Sequence, residues 1–255
     1  MRPDESPRPY DDADFWRRRV AIEFRSGSLA AIAVLAVSLA GCSVTRSGDP
    51  SPEDGPTGVS STAPSESGGD EFVPSPDNED PSEDIEGVVV TEYEALHAQP
   101  GQRVAYEKAP PDGGRHDPVW ADCNGTIYPA AVRNEHMVHA LEHGAIWIAY
   151  DPDRVDGDAL DTLTSKVDGQ PYMLMSPYPG LDQPISLQSW GHQLALSDAD
   201  DERIDQFVKA LRQNQYTSPE PGARCDSQGT GFDVTDPPPF EPGPPGPDAA
   251  PVGGP

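Results

Sequence analysis

The chain has 255 residues, a net charge of −27 at pH 7, 31 prolines and only 35% hydrophobic residues. Such an acidic chain is a poor partner for duplex nucleic acid or anionic lipid surfaces, so nucleic-acid binding is excluded. Solubility in an exposed location is the simplest reason for the charge.

The N-terminal stretch carries Arg17 to Arg19 and Arg25, and up to Gly41 its acidic and basic residues balance, so the excess charge lies beyond it. An uncharged run of twelve residues follows, Leu29 to Ala40. A membrane-spanning helix takes about 20 residues, whereas a secretory h-region takes roughly 7 to 15. Residues 1–41 are therefore expected to be a signal peptide. Leu39-Ala40-Gly41-Cys42 resembles a bacterial lipobox, in which the cysteine is acylated and the leader is cut just before it. That places an acylated Cys42 at the start of the mature chain, anchored in the membrane and facing the extracytoplasmic side. An ordinary signal peptide or an uncleaved anchor are the alternatives. Arg18-Arg19 leaves the export route, general secretory or twin-arginine, open.

Residues 42–85 are Ser, Pro, Gly and acid without an apolar period, which predicts a disordered, self-repelling tether reaching about 35 Å. Residues 226–255, with Pro237-Pro238-Pro239 and Pro244-Pro245, are expected to form a second disordered segment. Between them, residues 86–225 hold nearly all the large apolar side chains after the leader, a length suited to one domain with one core.

Within that domain Gly87 to Thr91 and Arg103 to Tyr106 read as short strands. Ala130 to His143 reads as a helix capped by Gly144, and Ala145 to Tyr150 as a buried central strand. Asp158 to Val167 predicts a helix; Tyr172 to Met175 and Ile185 to Trp190 predict strands joined by Pro177-Tyr178-Pro179-Gly180. Asp198 to Gln213 is the clearest amphipathic helix, with acids in its first turn and Ile204, Phe207, Val208 and Leu211 on one side. Irregular alternation of helices and strands points to an α+β fold: one domain with a small mixed or antiparallel sheet and about three helices.

With Cys42 acylated, Cys123 and Cys225 remain as an exported pair without Cys-x-x-Cys spacing, expected to form a disulfide. Histidine chemistry concentrates in His136-Met137-Val138-His139-Ala140-Leu141-Glu142-His143. His139-x-x-Glu142-His143 matches the inverted zincin pattern, in which two histidines bind zinc and the glutamate activates a water. Catalytic zinc needs a third protein ligand and an open position. Glu202 in the acid-rich helix is one candidate third ligand, and His97, His116 and His192 are turn or strand-end histidines that can converge on the helix. His97, His116, His139 and His143 make a candidate site for one zinc or copper ion; Met173 and Met175 would suit Cu(I) if they faced it. The alternative is that these histidines donate to carbonyls and Glu142 pairs with Arg133 or Arg115.

His97-Ala98-Gln99-Pro100-Gly101, Tyr106, Pro110-Pro111-Asp112-Gly113-Gly114-Arg115-His116, Val138-His139-Ala140-Leu141-Glu142-His143-Gly144, Ser176-Pro177-Tyr178-Pro179 and Trp190-Gly191 occur in that order. The set resembles the bacterial domain-of-unknown-function family 3105, over roughly Gly87 to Cys225. The resemblance implies a cell-envelope protein with one N-terminal membrane segment before the domain and no established activity. Its pattern matches at His97, His116, His139, Glu142 and His143 and does not require His136; the lipobox replaces a plain membrane anchor. Three functions follow: an anchored metal-binding domain, more in keeping with the residues than an enzyme; a zinc hydrolase with Glu142 as general base; and a metal-free module that binds another envelope protein.

Overall fold

The computed structural model describes residues 71–254. The signal peptide, Cys42 and most of the tether lie outside the described residues. Eight strands and three α-helices follow one another as β1 (Val89–Val90), β2 (Val104–Ala105), β3 (Asn124–Ile127), α1 (Asn134–Glu142), β4 (Ile146–Tyr150), α2 (Gly157–Val167), β5 (Met173–Pro177), β6 (Ile185–Ser189), β7 (His192–Leu196), α3 (Arg203–Leu211) and β8 (Ala250–Pro251). Six strands form one sheet in the order β1-β7-β6-β4-β5-β3, and β2 pairs with β8 in a separate two-stranded ladder. In the large sheet β3, β5 and β4 run parallel, while β4, β6, β7 and β1 alternate in direction. The fold is therefore α+β with a mixed sheet, as the irregular alternation of elements predicts.

The central strands β4, β5 and β6 are buried on both faces, and β4 shows why such a strand reads as a continuous apolar run. Side chains alternate across a strand. Ile146, Ile148, Tyr150, Met173 and Met175 face a core built with Leu163 and Val167 of α2 and Ile204, Phe207 and Leu211 of α3. Trp147, Ala149 and Leu174 face the opposite core, shared with Met137, Val138, Ala140 and Leu141 of α1. Each fully buried residue of this size contributes about 1.5 to 3 kcal/mol of transfer free energy. Of the three helices, α1 is the one that covers the second face, and it carries the histidines.

Helix ends are tighter than the apolar period suggests. Arg203 opens α3 because the Asp201 carboxylate accepts from its backbone N–H at 2.9 Å, and Gln213 with φ 58° lies just beyond its end. Helix α1 begins at Asn134 and stops before Gly144, whose φ of 89° lets the chain turn directly into β4. Three strands are additions to the sequence reading, among them β8 in the tail. Asn124–Ile127 begins in an Asn-Gly pair that reads as a turn, and His192–Leu196 is hidden because only alternate residues face the core.

Residues 71–85 and 226–254 pack on the domain more closely than their composition predicts, so its described part is wider than 86–225. In the tether, Phe72 and Ile85 pack on the α3 side of the sheet, Pro81–Asp84 form a 3₁₀ turn, and Asp80 pairs with His192 at 2.8 Å. In the tail, Phe232 is buried against Tyr128 and His136, and Phe240 packs on Tyr178. Proline lacks an N–H but keeps a strong carbonyl acceptor. Arg133 N–H donates to Pro238 O at 2.9 Å, Arg115 donates to Pro251 O and Gly254 O, and Ala250 N–H donates to Arg103 O. Two aromatic anchors and these carbonyls hold a segment that has no apolar period of its own. Among the described residues no helix is long and apolar enough to cross a membrane.

Candidate metal centre

Three chain segments meet above the α1 side of the sheet. His97 and His116 lie on adjacent extended segments, joined by Ala98 N–H to His116 O at 2.7 Å and His116 N–H to Leu96 O at 2.9 Å. Gly113 and Gly114 let this pair close: a Cβ on Gly113 would overlap the Tyr93 ring and one on Gly114 would overlap Val252, with Gly114 at φ 91°. Helix α1 is docked onto the same segments through its N-terminus. Glu135 accepts from Val104 N–H at 2.8 Å, and Arg133 donates to Gln102 O and pairs with buried Asp117.

His97, His116, His139 and Glu142 bring one ligand atom each to within 4.8 Å of one another. His116, His139 and Glu142 are buried and His97 is exposed. All three imidazoles present Nε2 to one oxygen, Glu142 Oε2, at 3.0 Å from His116, 3.7 Å from His139 and 4.0 Å from His97. The other nitrogens of the two buried rings are committed: His116 Nδ1 faces Gly114 O at 2.8 Å and His139 Nδ1 faces Asp117 O at 2.6 Å. A carbonyl only accepts, so both Nδ1 atoms carry a proton, and each Nε2 is the nitrogen turned to the carboxylate. His116 Nε2 is accordingly buried without a hydrogen-bond partner. Only a proton or a metal cation between these groups makes their approach favourable.

The electrostatics agree. Burial, reinforced by the neighbouring His116 ring, pulls the pKa of His139 down to about 3, so this ring is a neutral ligand at physiological pH. Burial pushes Glu142 up, but the facing imidazoles outweigh it and hold the carboxyl below its ordinary value. Backbone carbonyls that fix the far nitrogen of each histidine are the usual outer partners of metal-bound imidazole. Tetrahedral zinc, with bonds of about 2.0 to 2.1 Å, places its ligand atoms about 3.3 Å apart. The four ligand atoms lie within 4.8 Å of one another, a group of the size and donor chemistry that can hold a metal ion.

The expected set of His97, His116, His139 and His143 is corrected at one member. His143 does not join the other three histidines; Glu142 takes its place, and His143 falls in a second group with Glu142 and Glu220. Glu142 faces imidazoles and not Arg133 or Arg115. Met173 and Met175 are fully buried in the core on the opposite face, so they offer no sulfur to the site. Glu202 lies just before α3, on that same opposite side. His192 pairs with Asp80 and Trp190 O, and His136 donates to Val119 O within the core, its pKa lowered by burial. Trp147 is also a core residue, its indole N–H donating to Ser176 Oγ. Trp120 is a wall of the site that the sequence reading does not identify: its ring packs against His139 and His143. Cys123 and Cys225 are disulfide-bonded, with Cα atoms 4.9 Å apart, and tie the segment after α3 to the start of β3.

A family model described as a protein of unknown function, DUF3105, matches residues 97–227, just over half of the chain. The chain belongs to this family. The match runs from the first histidine of the site past the second cysteine. No curated protein and no solved structure matches the chain.

Proposed function

We propose that this member of the DUF3105 family is a zinc-binding domain displayed from the outer face of the cell membrane by a lipid on Cys42. The metal reading rests on one observation: two buried, carbonyl-fixed imidazoles and an exposed third point their Nε2 atoms at a single buried carboxylate oxygen. Three imidazoles and one carboxylate suit zinc, with Cu(II) the competing occupant, since among the described residues the methionines are packed in the cores. Glu142 is a ligand in this arrangement, so it is not free to act as the general base of a zinc hydrolase. The anchoring reading is supported by Leu39-Ala40-Gly41-Cys42 after the apolar run, and by a disulfide, which persists in an oxidising compartment.

Element-resolved metal analysis of the mature chain carrying Cys42→Ser, purified without chelator, tests the site. Bound zinc that disappears in His116→Ala plus His139→Ala is expected. A chain that binds neither zinc nor copper in titration overturns the metal reading and leaves the interaction module that docks to another envelope protein. Membrane fractionation tests the anchor: Cys42→Ser should move the protein to the soluble fraction.

A further inference from the structure

Glu142 has a second set of neighbours that the four-residue site does not use. Glu142, His143 and Glu220 also bring one ligand atom each to within 4.8 Å of one another. His143 is 3% exposed, and its Nδ1 is buried with no hydrogen-bond partner. The Arg224 backbone lies within hydrogen-bonding reach of the same ring. Glu220 is exposed and is brought there by its own N–H, which donates to Glu142 O at 3.0 Å; the segment is clamped beyond it by the disulfide at Cys225.

We propose that Glu142 is a bridging carboxylate and that His143 and Glu220 complete a second divalent-metal site, making the centre dinuclear. This rests on the metal reading of the first group, because Glu142 serves both. Oε2 faces the three imidazoles, and Oε1 is the oxygen assigned to the second ion. One neutral imidazole and two carboxylates make a nitrogen and oxygen donor set for zinc. Ions on the two oxygens of one carboxylate sit about 3.5 to 4 Å apart, the spacing of two-metal centres. The two positions differ in kind. The first has four protein ligands and is closed, whereas the second has three and opens to solvent at Glu220, leaving a coordination position for water. Trp120 packs over both, 5.3 Å from the His139 ring and 5.0 Å from the His143 ring between centroids.

The inference is tested by zinc stoichiometry of the mature chain carrying Cys42→Ser, measured by calorimetric titration and by metal analysis after gel filtration. Two equivalents are expected. Glu220→Gln, an exposed change that leaves the core intact, and His143→Ala should each leave one equivalent, and Glu142→Gln should weaken both. One equivalent that is unchanged in Glu220→Gln overturns the second site and leaves the mononuclear reading standing. Loss of only one equivalent in Glu142→Gln overturns the bridge. Failure to bind any zinc overturns both readings together.

Discussion

Glu142→Gln should change the stability of the domain in opposite directions with and without zinc. The metal-free protein holds a buried carboxylate oxygen 3.0 Å from His116 Nε2, an atom without a hydrogen-bond partner. The amide that the substitution introduces supplies an N–H that can donate to that nitrogen. One new buried hydrogen bond, with relief of an unsatisfied acceptor, is worth about 1 to 2 kcal/mol. For a domain of this size that raises Tm by about 3 to 6 °C. With zinc at a hundredfold excess over Kd, the wild-type chain gains about 2.7 kcal/mol, and the variant loses most of that gain because an amide is a poorer ligand than a carboxylate. Thermal unfolding in chelator and in zinc, followed by circular dichroism, should therefore show the two melting curves exchanging order. A variant that is less stable in chelator and keeps the full zinc shift would refute the argument: the carboxylate would then be compensated by a proton and would not be a ligand.

Removing the disulfide by Cys123→Ala plus Cys225→Ala releases a loop of 102 residues and should cost up to about 4.7 kcal/mol in the chain-entropy account; a loss below about 1 kcal/mol in urea unfolding would refute it. Asp80→Asn tests the flank that composition assigned to the tether. Burial pushes the Asp80 carboxyl up, but hydrogen bonds from His192 and Ser82 outweigh it and lower the pKa. A lowered carboxyl contributes stability above its unfolded value of 3.8 that is lost as pH falls through the folded value. The wild-type advantage, about 1 kcal/mol at pH 6 after allowing for partial exposure, should shrink below pH 4; a gap independent of pH would reject the pairing. Phe232→Ala should cost about 3 kcal/mol, because the ring is buried against Tyr128 and His136, whereas a free tail would show no change in denaturant midpoint.

Much of the fold is legible in the sequence because its determinants are local. The Ile146 to Tyr150 run, the apolar face of Ile204, Phe207 and Leu211, and the Gly144 stop each follow from periodicity or backbone freedom at a few adjacent residues. The pairing of Cys123 with Cys225 follows once Cys42 is assigned to the expected lipobox. Candidate ligands are legible as residue types. Their assignment is not. From His139, Glu142 lies about 60° to one side of the helix and His143 about 40° to the other. Which flank joins His97 and His116 depends on where the segment carrying those two histidines lies against α1, and the Arg133, Glu135 and Asp117 contacts set that over long sequence separations. The ordered tail has the same cause. Its prolines predict an unstructured chain, and only the assembled surface supplies the partners: Arg115 and Arg133 donate to tail carbonyls, and the edge of β2 accepts from Ala250 N–H at Arg103 O. Sequence alone thus determined the three helices, the central strands and the chemistry available, while tertiary packing decided the remaining strands and which of those groups face one another.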